Sequence, residues 1–171
     1  MMTHKRIITC CLLVILAATA GCAPRMWSPE GTVTTVVLIR HTERSMITEE
    51  LTDAGRARAA ALPAAVADLD IVAIYSPDLS RNIDTAAPLA QERGLPIIRM
   101  PANPDETEVA RRLLSDHPGA TVLWVGNITN LDRIFAILGG KGAPPVEYGD
   151  LYILHVPDSG DSRLMKRHFG D

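Results

Sequence analysis

Arg40 and His41 stand together at the end of an unbroken apolar run, Val36-Val37-Leu38-Ile39. An imidazole beside a permanent cation suits attack on, or grip of, a phosphoryl group. The ring nitrogen supplies a nucleophile and the guanidinium a planar fork of donors for phosphate oxygens. The plainer alternative is a salt-bridged His-Arg pair closing a strand. Two further places carry suggestive residues. Arg81 follows Ser76-Pro77-Asp78 at the start of a helical stretch, where free backbone N–H groups and the helix dipole already favour an anion. Gly126-Asn127 closes another apolar run, Thr121 to Val125. Taken alone, Arg81 reads as a surface arginine and Ser76 as a helix cap.

These three places meet only if the strands before them run in one direction and end on one edge. Val33 to Ile39 reads as a strand whose apolar run through Val36 to Ile39 is that expected of a strand covered on both sides in a parallel sheet, and in open α/β sheets ligands bind beyond the carboxyl ends of such strands. The rest of the pattern agrees. A helix is expected from Thr52 or Asp53 to Ala67, kinked or divided at Pro63. A strand follows at Asp70 to Tyr75, then a helix from Ser76-Pro77-Asp78 to about Arg93 with Gly94 as its stop. Leu95 to Arg99 reads as a strand, Met100 to Asp105 as a Pro-rich loop and Glu106 to Ser115 as a helix. Thr121 to Val125 is the next strand, Leu131 to Leu138 a helix, and Val146 to Val156 the last strand. The tail from Asp158 to Asp171 is polar and receives no element. Strands alternating with helices imply an α/β fold: a three-layer sandwich with a mostly parallel central sheet flanked by helices, in a single domain.

The chain of 171 residues begins with a basic start (His4, Lys5, Arg6), an apolar run from Ile7 to Ala18, and Thr19-Ala20-Gly21-Cys22. This is the pattern of a bacterial export signal. Small residues directly before a cysteine resemble a lipobox, with Thr19 where Leu is usual. The reading is a signal peptide over 1–21, a lipidated tether over 22–31 with lipid on Cys22, and a domain over 32–171. The expected location is the cell envelope, on the periplasmic side, held to a membrane through Cys22. The run is short for a membrane span. Cys10 and Cys11 leave with the signal, so no disulfide and no cysteine metal site is expected. The formal net charge is −3, and losing Lys5 and Arg6 makes it more negative, with no basic tract. Nucleic acid is therefore not an expected partner.

Val37-Leu38-Ile39-Arg40-His41-Thr42-Glu43 resembles the opening signature of the histidine phosphatase (phosphoglycerate-mutase-like) superfamily. Leu51-Thr52 with Gly55 is similar to its LTxxG segment. Tyr75-Ser76-Pro77 with Ser80-Arg81 and Thr85-Ala86 is similar to its SSPxxRxxxTA segment. The chain also looks like a compact, exported, lipoprotein branch of that family. The resemblance implies that His41 is the nucleophile, forming a phosphohistidine that water hydrolyses. It implies that Arg40 and Arg81 bind the phosphate and stabilise charge on its oxygens. Arg44 would extend the positive pocket, a solvated loop charge being the alternative. No metal and no organic cofactor are implied. The implied substrate is a phosphorylated small molecule or a phosphoprotein. Asp105 and Glu106 are positional candidates for a proton donor, their plainer role being carboxylates at a helix N-terminus.

One departure matters. The family places a second histidine after the fourth strand, and the aligned position here is Asn127. An amide still donates a hydrogen bond but is neutral and neither acid nor base. A charge-assisted bond is roughly twice as strong as a neutral one, so the pocket is weakened. His117, His155 and His168 are the other histidines of the exported chain, and His155 is the one to measure against His41. The expected function is a phosphatase of reduced efficiency. The alternatives are a phosphate-binding pseudoenzyme and an envelope lipoprotein with a binding role.

Overall fold

Six strands and four helices alternate in the computed structural model, which describes residues 24–170; the expected signal peptide over 1–21 and the expected lipid site Cys22 lie outside the described residues. The strands are β1 (Val33–Arg40), β2 (Ile71–Pro77), β3 (Ile97–Met100), β4 (Thr121–Gly126), β5 (Asp150–Pro157) and β6 (Arg163–His168). The helices are α1 (Asp53–Ala65), α2 (Ser80–Arg93), α3 (Glu106–Ser115) and α4 (Ile128–Ile137).

The sheet order is β3-β2-β4-β1-β5-β6. β3, β2, β4 and β1 run parallel, while β5 and β6 add an antiparallel edge. The result is a mixed sheet whose larger part is parallel. Successive residues of β1 point into opposite cores, as the period of a strand requires. Val36 and Leu38 pack with Trp124 and the apolar faces of α3 and α4. Val37 and Ile39 pack with Leu62, Leu89 and the apolar faces of α1 and α2. All four β1 residues are fully buried, which is why the run shows no polar break.

Several boundaries differ from those expected. α1 is one helix that carries Pro63 in its last turn rather than two pieces split there. α2 begins at Ser80, later than Ser76-Pro77-Asp78 suggested, with Leu79 at its cap and no side-chain cap bond. Gly94 ends it in the left-handed conformation, at φ 64°, as expected. α4 begins at Ile128, three residues early, because Asn127 caps it. The last strand expected from Val146 starts at Asp150 and lies antiparallel to β1. The tail contains the unassigned strand β6.

The stretch before β1 lies against the domain. Met26 N–H donates to the Ile137 carbonyl at 2.9 Å, and the buried Ser28 hydroxyl donates to the Val156 carbonyl at 2.6 Å.

Candidate active site

Arg40 and Gly126 are register partners across β1 and β4, so His41 and Asn127 leave the sheet side by side. The ladder continues one step further, with the His41 N–H on the Gly126 carbonyl at 2.9 Å. The start of α2 joins them from the other side. Buried Asn82 donates from Nδ2 to the Val125 and Gly126 carbonyls at 3.0 and 2.9 Å, which ties α2 to the end of β4. Thr85 donates to the Arg81 carbonyl at 2.7 Å and accepts from the Thr42 N–H at 3.0 Å. The Thr-Ala part of the third motif thereby fastens the residue after His41 to the turn that carries Arg81.

Arg40, His41, Arg44, Arg81, Asn103, Asn127, Ile128 and Thr129 line one cavity of about 330 Å³. All five residues singled out in the sequence for the site thus face a common space. Asn103, Ile128 and Thr129 are additions, Asn103 coming from the loop after β3.

His41 is 3% exposed. Its Nδ1 lies 2.8 Å from the Thr42 carbonyl oxygen, which only accepts, so Nδ1 carries the proton. Burial depresses the imidazole pKa, and Arg40, Arg81 and Arg44 add to the depression against the opposing Thr42 bond, bringing it to about 4. The ring is therefore neutral at ordinary pH, with its lone pair on Nε2. That is the protonation state a nucleophilic histidine needs.

Arg40 is held by three contacts. It donates to the Val146 carbonyl at 2.8 Å and to the Tyr148 hydroxyl at 3.1 Å, and its guanidinium lies 4.0 Å from the Tyr148 ring centroid. The same ring stands 6.0 Å from that of His41. Tyr148 carried no signal of its own in the sequence: it fell inside the strand expected from Val146, whereas it lies in the turn before β5. Arg44 and Arg81 share one partner, Glu49, whose Oε2 accepts from Arg81 Nη1 at 2.7 Å and whose Oε1 accepts from Arg44 Nη1.

The LTxxG segment has a clear physical role. Thr52 caps α1 by accepting from the Gly55 N–H at 3.1 Å, and its own N–H donates to the Glu43 carbonyl at 3.0 Å. A Cβ on Gly55 would stand 2.0 Å from that carbonyl oxygen. The Glu43 carboxylate is gripped by Arg58 through Nε at 3.0 and 3.1 Å. Burial alone would raise the Glu43 pKa, but Arg58 outweighs it and the carboxyl sits below its usual range. The turn after His41 is thus clamped onto α1.

Other candidates fall elsewhere. The Ser76 hydroxyl is buried and donates to the Pro77 carbonyl at 2.8 Å, so it neither caps α2 nor lines the cavity. Asp105 caps α3 by accepting from the Thr107 N–H at 2.8 Å, and Glu106 sits in the first turn; neither lines the cavity. His155 pairs in register with Thr35 and its Nδ1 lies 3.0 Å from Thr35 Oγ1. Six residues of strand separate Thr35 from His41, on the order of 20 Å, so His155 cannot stand in for a second histidine. His117 precedes β4 and packs edge-on to Tyr75 at 6.3 Å. His168 belongs to β6. Among the described residues no group of His, Cys, Asp and Glu side chains could hold a metal ion, and no helix is long and apolar enough to cross a membrane.

Residues 36–102 match the model of the histidine phosphatase superfamily (branch 1). No curated protein sequence matches the chain. Among solved structures, the protein histidine phosphatase SixA complexed with tungstate is similar, with TM-score 0.65 and 18% identity over 78% of this chain and 96% of that one. YhfR of Bacillus stearothermophilus has TM-score 0.63 and 20% identity over 77% of this chain and 95% of that one. A mycobacterial glucosyl-3-phosphoglycerate phosphatase complexed with inorganic phosphate has TM-score 0.53 and 17% identity over 80% and 97%. Residues 36–102 thus carry the sequence pattern of the histidine phosphatase superfamily, and the domain around them has that superfamily's fold.

Proposed function

We propose that the protein is a phosphatase that passes the phosphoryl group of a phosphomonoester or phosphoprotein to His41 and then to water. The observation that carries this reading is the state of His41: a buried, neutral ring, proton on Nδ1, facing a cavity shared with three arginines. Nε2 attacks phosphorus as the bond to the leaving oxygen breaks. Arg40, Arg81 and Arg44 hold the equatorial oxygens while charge is redistributed. A water oxygen then attacks phosphorus, the N–P bond breaks and inorganic phosphate leaves. No carboxyl group is among the described residues that line the cavity, and the Glu49 carboxylate beside it is taken up by Arg44 and Arg81, so in this reading the leaving oxygen draws its proton from water. This favours leaving groups that are stable as anions.

Asn127 supports a second reading, binding of phosphorylated ligands without turnover. It supplies a neutral donor where the family has an imidazole, and a loss of a few kcal/mol in transition-state binding is on the order of a hundred-fold or more in rate. The export pattern of the first 22 residues supports placing the domain in the cell envelope, anchored by lipid on Cys22. Replacement Cys22→Ser then releases the protein from the membrane fraction.

The test is hydrolysis of a generic aryl phosphate by wild type, His41→Ala and Asn127→His. Activity that disappears in His41→Ala supports the phosphatase. An inert wild type, with activity gained in Asn127→His, establishes the binding reading. Failure of wild type to bind either phosphate or vanadate overturns both.

A further inference from the structure

We propose that Glu49 selects substrates by charge, so that the site prefers a phosphoester carrying a positive charge a few ångström from the phosphorus; this rests on the phosphate-binding reading of the cavity. Glu49 holds Arg81 through one oxygen, at 2.7 Å, and Arg44 through the other, and both arginines line the cavity beside His41. Its carboxylate is therefore fixed at the rim of the phosphate pocket, and with 46% of its side chain exposed it also faces the solvent from which a leaving group projects.

Its backbone is fixed as well. The segment from Arg44 to Leu51 closes as a small hairpin, with an Arg44–Leu51 bridge and the Ser45 N–H on the Glu50 carbonyl at 2.8 Å. Glu49 has φ 64°, the one non-glycine residue with positive φ among those described. A side chain there sits in a conformation that most residues avoid.

Beyond the hairpin the negative charge continues. A neighbouring cavity of about 460 Å³ between α1 and α2 has Glu50 and Asp84 on its walls and Leu51, Ala59 and Pro88 among its apolar lining. The arginine in that cavity, Arg56, is engaged by Asp53 and the Leu51 carbonyl. No salt bridge reaches Glu50 or Asp84 among the described residues. A substrate whose phosphate sits on the arginines and whose remainder crosses the hairpin passes carboxylates on the way. A carboxylate or second phosphate there meets repulsion, and an ammonium or guanidinium meets attraction. Charge contacts half open to water are individually modest, so the expected preference is roughly three- to ten-fold for each unit of charge.

The experiment uses the purified protein and two phosphotyrosine peptides, whose phenolate can leave as an anion, identical except for Lys or Glu beside the phosphotyrosine. Wild type is expected to favour the Lys peptide in kcat/KM by about ten-fold or more, and Glu49→Gln, which keeps an acceptor for the arginines, to bring the ratio close to one. Equal use of the two peptides by wild type, or an unchanged ratio in Glu49→Gln, overturns the inference. Glu49→Asn, an amide that tolerates positive φ, is a second variant, expected to lower the ratio likewise; it decides the matter if Glu49→Gln fails to fold, and an unchanged ratio overturns the inference. Peptide binding by calorimetry separates this from the phosphatase reading. A preference in binding without hydrolysis retains charge selection and removes only the catalytic function.

Discussion

The side-chain oxygen of Asn127 accepts a hydrogen bond from the Asn130 N–H at 3.2 Å, and the Asn130 Oδ1 accepts one from the Asn127 N–H at 2.9 Å. This reciprocal pair caps α4 and fixes Asn127 beside the cavity. Asn127 is therefore a structural residue of the helix start as well as a residue of the cavity lining. Its carbonyl oxygen is occupied by the cap, and its Nδ2 is the group left to meet a phosphate.

Substituting Asn127 separates those roles. Asn127→His removes the cap acceptor and is expected to cost about 1 kcal/mol of stability, seen as a lower urea midpoint. Asn127→Asp keeps an acceptor at the cap, so stability holds, but puts a negative charge beside the phosphate and weakens vanadate binding. A stable Asn127→His would contradict the capping account.

Gly55 offers a sharper test of how the opening motif is clamped. A Cβ there would stand 2.0 Å from the Glu43 backbone oxygen, which cannot swing aside as a side chain would. Gly55→Ala is expected to lose roughly 1–3 kcal/mol in urea unfolding, as overpacked sites do. A loss below ~0.5 kcal/mol, the range of ordinary surface changes, would show that the turn after His41 is free to move.

Titration of His41 has a definite sign. Its folded pKa is depressed to about 4 from an ordinary 6.5, mainly by burial. Between those values the unfolded chain binds a proton that the folded one does not, so this residue lowers stability as the pH falls from 6.5 toward 4 and has no such effect above 6.5. The direct measurement is the His41 ring resonance followed by NMR against pH in the ligand-free protein. A midpoint near 4 is expected; one at or above 6.5 would contradict the neutral nucleophile.

Tyr148 supports Arg40 in two separable ways. Tyr148→Phe removes the 3.1 Å bond but keeps the ring under the guanidinium, whereas Tyr148→Ala removes both. The expected order of kcat/KM is wild type, then Phe within a few-fold, then Ala lower by roughly ten-fold or more, since an exposed to half-buried cation–π contact is worth about 0.5–2 kcal/mol. Equal losses in Phe and Ala would assign the effect to the hydrogen bond alone.

The cavity's backbone was legible because β1 is covered on both faces: Val36 to Ile39 had to be uniformly apolar, and the polarity change at Arg40 marked the sheet's carboxyl edge. Gly126 marked the adjacent strand end by the same logic. β6 was not legible. It pairs on one side only, and its Arg163, Lys166 and Arg167 are the charges that keep an edge strand from pairing further, so its composition reads as a loop. Tyr148, Asn103 and Glu49 were missed for a different reason. Each reaches the site from an irregular segment, where spacing carries no information about direction. Nothing in the polar stretch Thr42 to Glu50 distinguished Glu49 from its neighbour Glu50. Of the two, only Glu49 takes a positive φ and bonds Arg44 and Arg81.

The central claim is covalent transfer to one nitrogen. Rapid acid-free quenching of the purified protein with an aryl phosphate, followed by peptide mass spectrometry, reads it directly. The account expects a phosphoryl group on His41, stable to alkali and lost in acid, and absent from His41→Ala. Turnover with no label at His41, or a label that persists elsewhere in His41→Ala with activity intact, would contradict it.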